Sequence, residues 1–254
     1  MCYDDNARPP EPPGVKGNAS GKDFVLTADD GTRFMAYLAE PEKSAGAQVL
    51  IFPDVRGLHQ FYKDLALRFG QMGIRALALD YFGRTAGIGA RDDAFEYMPH
   101  VQAMTFPNFR LDVNASLAHL RQDKKEAPTF AVGFCRGGTL AILVGAHNLG
   151  LRGIIPFYSG FSRPVAGADG ATLDLAKKIR VPVLGLYGGA DQGIPASDVG
   201  AFDDALDVAG VEHTVVIYPG APHSFFDRKM TEFANESTDA WTRVLNFIDA
   251  HSGK

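Results

Sequence analysis

Three short runs hold residue types that together could perform covalent catalysis: Gly133-Phe134-Cys135-Arg136-Gly137-Gly138, Gly188-Gly189-Ala190-Asp191 and Pro219-Gly220-Ala221-Pro222-His223. A thiol, a carboxylate and an imidazole are the parts needed for acyl transfer. The imidazole takes the thiol proton, the thiolate attacks a carbonyl, and the carboxylate fixes the imidazole tautomer. Alone, a cysteine is more often a small buried hydrophobe than a reactive group. Here, however, Cys135 follows the apolar run Thr129-Phe130-Ala131-Val132 and precedes a helical pattern carrying Leu140, Ala141, Leu143 and Val144. A strand-to-helix turn with small residues two before and two after its centre lifts the central side chain above the sheet edge. It also places the sulfur at the positive end of the following helix dipole, which favours an anion there.

The other two components also lie just beyond apolar runs. Val183-Leu184-Gly185-Leu186-Tyr187 leads into Asp191, and Thr214-Val215-Val216-Ile217-Tyr218 leads into His223. The chain order nucleophile, acid, histidine is that of the α/β-hydrolases and differs from the two main serine-protease orders. His119 and His147 fall on helical patterns, His213 at a strand start and His251 in the tail, which separates them from His223 in the loop directly after the final strand. Asp191, flanked by Gly188 and Gly189, also fits an Asx turn, a role compatible with orienting a histidine.

These residues must be positioned by a scaffold, and the pattern predicts one. Asp23 to Thr27 and Thr32 to Ala39, separated by Asp29-Asp30-Gly31, read as an antiparallel hairpin. Val49 to Phe52 reads as a strand buried on both faces, followed by a helix over 61–72 and a strand over 74–79. A helix over 107–121, strands over 153–157, 181–187 and 212–218, and helices over 197–209 and 238–250 complete the alternation. This predicts an α/β-hydrolase fold: a mostly parallel central sheet with helices on both faces, right-handed crossovers and an N-terminal antiparallel ribbon. Ligands in such sheets bind beyond the carboxyl ends of the strands. Residues 84–106 interrupt the rhythm and read either as a partial lid over Cys135 or as an excursion covering a sheet end. The proline-rich stretch from Arg8 to Gly14 reads as an extended arm, giving residues 1–20 as an arm and 21–254 as one domain.

Composition narrows the function classes. With 254 residues and 46% hydrophobic content, one large domain is expected. A net charge of -5 with scattered basic residues argues against a nucleic-acid surface or an anionic membrane. No secretory leader or membrane-spanning run is legible, and of the two cysteines Cys2 lies in a polar tail, so the chain reads as cytoplasmic and free of a disulfide framework. There is no His-Glu-x-x-His, no Cys-x-x-Cys, no P-loop and no dinucleotide fingerprint, so neither a metal nor a nucleotide cofactor is expected.

Phe134-Cys135-Arg136-Gly137-Gly138, Gly189-Ala190-Asp191 and Pro222-His223-Ser224-Phe225 resemble the dienelactone hydrolase family, over a span from about Val25 to the last helix. The resemblance implies a cofactor-independent hydrolase of a small lactone or ester, in which Cys135 is the nucleophile, His223 the base and Asp191 its orienting acid. The family's thiol-activating acid, a glutamate, falls on Asp54, one methylene shorter. Its substrate-carboxylate arginine falls on Arg84. A second such arginine falls on Asp227, with Arg228 one position beyond. Backbone N–H groups of Val55 and Arg136 are the expected oxyanion donors, since Pro53 has none. Tyr158 either lines the pocket or closes its strand, and Arg56 and Arg91 are weaker substrate-binding candidates. The expected partner is a small-molecule ester or lactone, suited to carrying a carboxylate, with the protein a monomer or small homo-oligomer. Two other readings stand beside this one: a general carboxylesterase or thioesterase using the same triad, and a non-catalytic ligand-binding or redox-sensing member of the fold.

Overall fold

The structure is a computed structural model that describes residues 6–122 and 126–253; Cys2 lies outside the described residues. Eight strands form one sheet: β1 (Ala19–Thr27), β2 (Arg33–Pro41), β3 (Gln48–Phe52), β4 (Arg75–Leu79), β5 (Thr129–Phe134), β6 (Gly153–Phe157), β7 (Val183–Gly188) and β8 (His213–Tyr218). Their spatial order is β1-β2-β4-β3-β5-β6-β7-β8. β1 pairs antiparallel with β2, and β2 antiparallel with β4; every later pairing is parallel. The predicted ribbon and parallel sheet are both present. β1 starts at Ala19, so the sheet claims the last two residues of the expected 1–20 arm.

The helices are α1 (Gln60–Gln71), the short turns α2 (Gly83–Ala86) and α3 (Tyr97–Ala103), α4 (Phe106–Arg121), α5 (Arg136–Gly145), α6 (Thr172–Ala176), α7 (Ala196–Ala209) and α8 (Ala234–His251). Side-chain alternation shows that they cover both faces. In the parallel pair β3/β5, Phe52 stands opposite Gly133, whereas Phe130 is three residues from Gly133 and so points to the other face. Phe52 meets Phe109 of α4, and Phe130 meets Phe247 of α8. Helices α4 and α8 therefore lie on opposite sides. Phe69 of α1 packs against Trp241 of α8, ring centroids 4.8 Å apart, which places α1 with α8.

β3, β4, β5, β6 and β7 are buried along their whole length, as expected for strands sandwiched between helices. β8, at the sheet edge, is half-exposed. The arm lies against the body: Trp241 Nε1 donates to the Pro10 carbonyl at 2.9 Å, Glu11 pairs with Arg68, and the Lys16 and Gly17 N–H groups donate to the Gln71 carbonyl at 3.0 and 3.1 Å. It thereby spans from α8 to α1. Segment 84–106 contributes α3 and is pinned by two buried arginines. Arg91 bonds Asp80 at 2.8 Å and the Gly87 carbonyl at 2.7 Å, and Arg56 bonds Asp93 at 2.5 Å. No helix among the described residues is long and apolar enough to cross a membrane.

Candidate active site

The turn between β5 and α5 follows from what cannot fit there. A Cβ on Gly133 would lie 2.1 Å from the Gly137 carbonyl oxygen, and one on Gly137 would lie 2.1 Å from the Phe52 carbonyl oxygen and 2.3 Å from that of Pro53. Only glycine lets the helix start this close to the neighbouring strand. Cys135 takes up the remaining strain, with φ 53° and ψ -112°, a conformation L residues rarely adopt. Its N–H donates to the Phe157 carbonyl at 3.0 Å, and its carbonyl accepts from Thr139 at 3.2 Å. The side chain is part-exposed at the carboxyl end of the sheet, facing a cavity of about 520 Å³.

Loops after β7 and β8 deliver the other two groups. They are laced together where the Gly189 N–H donates to the Tyr218 carbonyl at 2.8 Å and the Ala190 N–H to the Ala221 carbonyl at 2.9 Å. This sets Asp191 Oδ2 2.6 Å from His223 Nδ1, while Asp191 Oδ1 accepts the Gly193 N–H at 2.8 Å. The carboxylate side chain is almost wholly buried, whereas the imidazole is 29% exposed. A buried carboxyl group thus orients an imidazole that borders the cavity. Cys135, Asp191 and His223 all line that cavity, together with Val55, Arg136 and Tyr158.

Arg228 also lines the cavity, whereas Arg84 and Asp54 do not. Arg84 is committed elsewhere: it bonds Asp112 at 2.9 Å and Thr32 Oγ1 at 2.9 Å, and pairs with Asp30. The expected carboxylate clamp at Arg84 is therefore corrected to a structural role, because Asp30, Asp112 and Thr32 together already occupy its guanidinium. Asp54 is fully buried, and its Oδ1 accepts the Arg56 N–H at 2.9 Å, closing the turn after β3. Arg56 and Arg91 both hold segment 84–106, as described above, and neither lines the cavity.

Tyr158 occupies a strained position, φ 33°, beyond β6. Its ring packs 4.9 Å from the His223 ring, and its hydroxyl donates to Asp227 Oδ2 at 2.8 Å. Asp227 is buried, and that burial pushes its carboxyl pKa well above the usual range. Tyr158 opposes the shift, the neighbouring Asp54 adds to it, and the Arg228 N–H and His223 oppose it.

Sequence reasoning missed several cavity residues. Arg163 stands on the loop beyond β6, Thr139 one helical turn after Cys135, Ile194 in the loop after Asp191, and Val101 on α3. The one usable signal was location: each of the two loop residues follows the carboxyl end of a parallel strand. Val101 shows that segment 84–106 does reach the cavity. Burial lowers the Arg136 pKa, Tyr81 and Cys135 oppose that shift, and Arg163 adds to it. The buried Nε of Arg136 has no hydrogen-bond partner among the described residues. Three arginines, Arg136, Arg163 and Arg228, thus line one cavity. No group of three His, Cys, Asp or Glu side chains among the described residues could hold a metal ion.

Comparison with known proteins adds to this geometry. The profile of the Dienelactone hydrolase family matches residues 34–252. A "Putative carboxymethylenebutenolidase" of Escherichia coli O157:H7 is 27% identical over 240 residues, covering 91% of this chain and 88% of its own length. A protein of the same description from Methylorubrum extorquens is 29% identical over 229 residues, covering 84% and 75%. The crystal structure of a dienelactone hydrolase-like promiscuous phosphotriesterase from metagenomic libraries superposes with a TM-score of 0.77 at 24% identity, covering 93% of this chain and all of that one. With the family profile spanning nearly the whole sheet and every loop that builds the cavity, the chain belongs to the dienelactone hydrolase family and is a hydrolase of ester or lactone bonds.

Proposed function

We propose that the protein hydrolyses a small ester or lactone bearing a carboxylate, through a Cys135–His223–Asp191 triad and a thioester acyl-enzyme. The observation that carries this reading is the 2.6 Å contact between His223 and a buried Asp191 in the same cavity as a strained, part-exposed Cys135. His223 takes the proton from the Cys135 thiol, and the thiolate adds to the substrate carbonyl carbon. The carbonyl π pair moves to oxygen, where the Val55 and Arg136 N–H groups receive it. Collapse expels an alkoxide or enolate, which takes a proton from the imidazolium. Water, deprotonated by His223, then attacks the thioester and restores the thiol. Since a thiolate leaves as readily as it attacks, substrates with stabilised leaving groups are favoured. The relatives described as carboxymethylenebutenolidases point to the same bond type.

The arginines bordering the cavity supply the preference for an anion. Burial and the neighbouring Arg163 both disfavour the charge on Arg136, a cost that a bound carboxylate would relieve. Arg228→Ala is expected to raise KM about tenfold for a carboxylate-bearing ester and to leave a neutral ester within twofold. An equal effect on both substrates would remove the arginine from anion recognition.

Selective alkylation tests the nucleophile. Iodoacetamide at pH 6 is expected to label Cys135 well before Cys2, with esterase activity lost in step with labelling. Equal and slow labelling of the two thiols would contradict an activated cysteine.

A further inference from the structure

Tyr81 stands just beyond β4. It is 2% exposed, and its ring is held edge-on by Phe82 at 4.6 Å and Phe109 at 6.0 Å. Its hydroxyl donates to the Asp54 carbonyl and approaches the Pro53 carbonyl at 3.2 Å. The Asp54 C=O and the Val55 N–H are the two ends of one planar peptide unit. A donor fixed on the oxygen therefore fixes the direction of the N–H, and by polarising the amide it strengthens that N–H as a donor. Val55 lines the cavity, and its N–H has no protein acceptor among the described residues. The same carbonyl also accepts the Gly57 N–H at 3.2 Å, so the peptide is gripped from two sides. Burial raises the Tyr81 pKa well above the ordinary value, Asp54 raises it further, Arg136 opposes, and Cys135 adds to the rise. The phenol accordingly stays a neutral donor throughout the working pH range.

We infer that Tyr81 is a positioning residue for the oxyanion site, acting through the Asp54–Val55 peptide rather than on the substrate itself. This rests on the proposal above that Cys135 attacks and Val55 receives the oxyanion.

The test is Tyr81→Phe, which keeps the ring and removes the hydroxyl. Its kcat on a p-nitrophenyl ester is expected to fall about fivefold to tenfold, with KM within twofold of wild type. Affinity for an aliphatic aldehyde should fall by a similar factor. There the Cys135 thiolate adds to the aldehyde carbon, the π pair moves to oxygen, and a proton from His223 completes a hemithioacetal. Alkylation of Cys135 by iodoacetamide, which develops no oxyanion, should stay within twofold. If Tyr81→Phe lowers only the melting temperature, leaving kcat and aldehyde affinity unchanged, the residue is packing and the inference fails. It fails equally if alkylation falls as far as kcat.

Should the phenylalanine variant not fold, ring-fluorinated tyrosine at position 81 changes hydroxyl acidity without changing shape. Aldehyde affinity must then move while alkylation does not; no movement overturns the inference. Failure of the underlying reading shows differently, in wild-type protein: 13C-labelled aldehyde then gives no hemithioacetal carbon signal.

Discussion

Both oxygens of Asp191 are occupied, one by His223 and the other by the Gly193 N–H, and almost no water reaches them. Asparagine in its place would offer one acceptor and one donor where two acceptors are required. Asp191→Asn should leave the loop folded yet present the wrong imidazole tautomer, lowering kcat by about 10²- to 10⁴-fold with little change in KM. Steady-state hydrolysis of a p-nitrophenyl ester measures this, and a kcat within twofold of wild type would show that the pairing does not orient a catalytic histidine. Residue identity and placement after strands made this pair legible in the sequence. Arg84 was not legible, because its partners Asp30 and Asp112 lie 54 residues before it and 28 after it, and only folding brings them together. Arg163 was equally hidden: nothing in Phe161-Ser162-Arg163 distinguishes a cavity guanidinium from a solvated one.

At the scale of elements, the elbow stands on two glycines that let α5 begin against β3. Gly137→Ala would drive a methyl group into the Phe52 and Pro53 carbonyls, which belong to the strand and loop leading to Val55. The backbone must shift, at a cost of about 1–3 kcal/mol of overpacking. Because the displaced atoms adjoin Val55 and Arg136, the two proposed oxyanion donors, activity should fall more steeply than stability. Urea unfolding and kcat on one sample check this, and wild-type values of both would contradict the close approach. The strands could be read because uninterrupted apolar runs bounded by glycine or proline have few other uses. Helix α8 begins at Ala234 rather than Thr238, since Asn235, Glu236 and Ser237 form a polar first turn without an apolar stripe. The turns α2, α3 and α6 are four to seven residues long, too short to show periodicity, and tertiary contacts decide them.

For the molecule as a whole, the Arg84 cluster ties the β1–β2 hairpin tip to α4, and its titration bears on stability. Burial raises the Asp112 pKa to about 6, with Arg84 only partly offsetting it. In the unfolded chain the group titrates near 3.8. Between those values the folded state holds the proton more tightly, so stability falls as pH rises through the window, by at most about 3 kcal/mol. Asp112→Asn cannot ionise, so it should gain on wild type between pH 4 and pH 7 in denaturant unfolding. A constant gap, or one that moves in favour of wild type, would contradict this. The proposed mechanism depends on the sulfur at position 135. Its most direct test is the rate at which folded Cys135→Ala hydrolyses a p-nitrophenyl ester: a fall of about 10³-fold or more is expected, and turnover at the wild-type rate would contradict the mechanism.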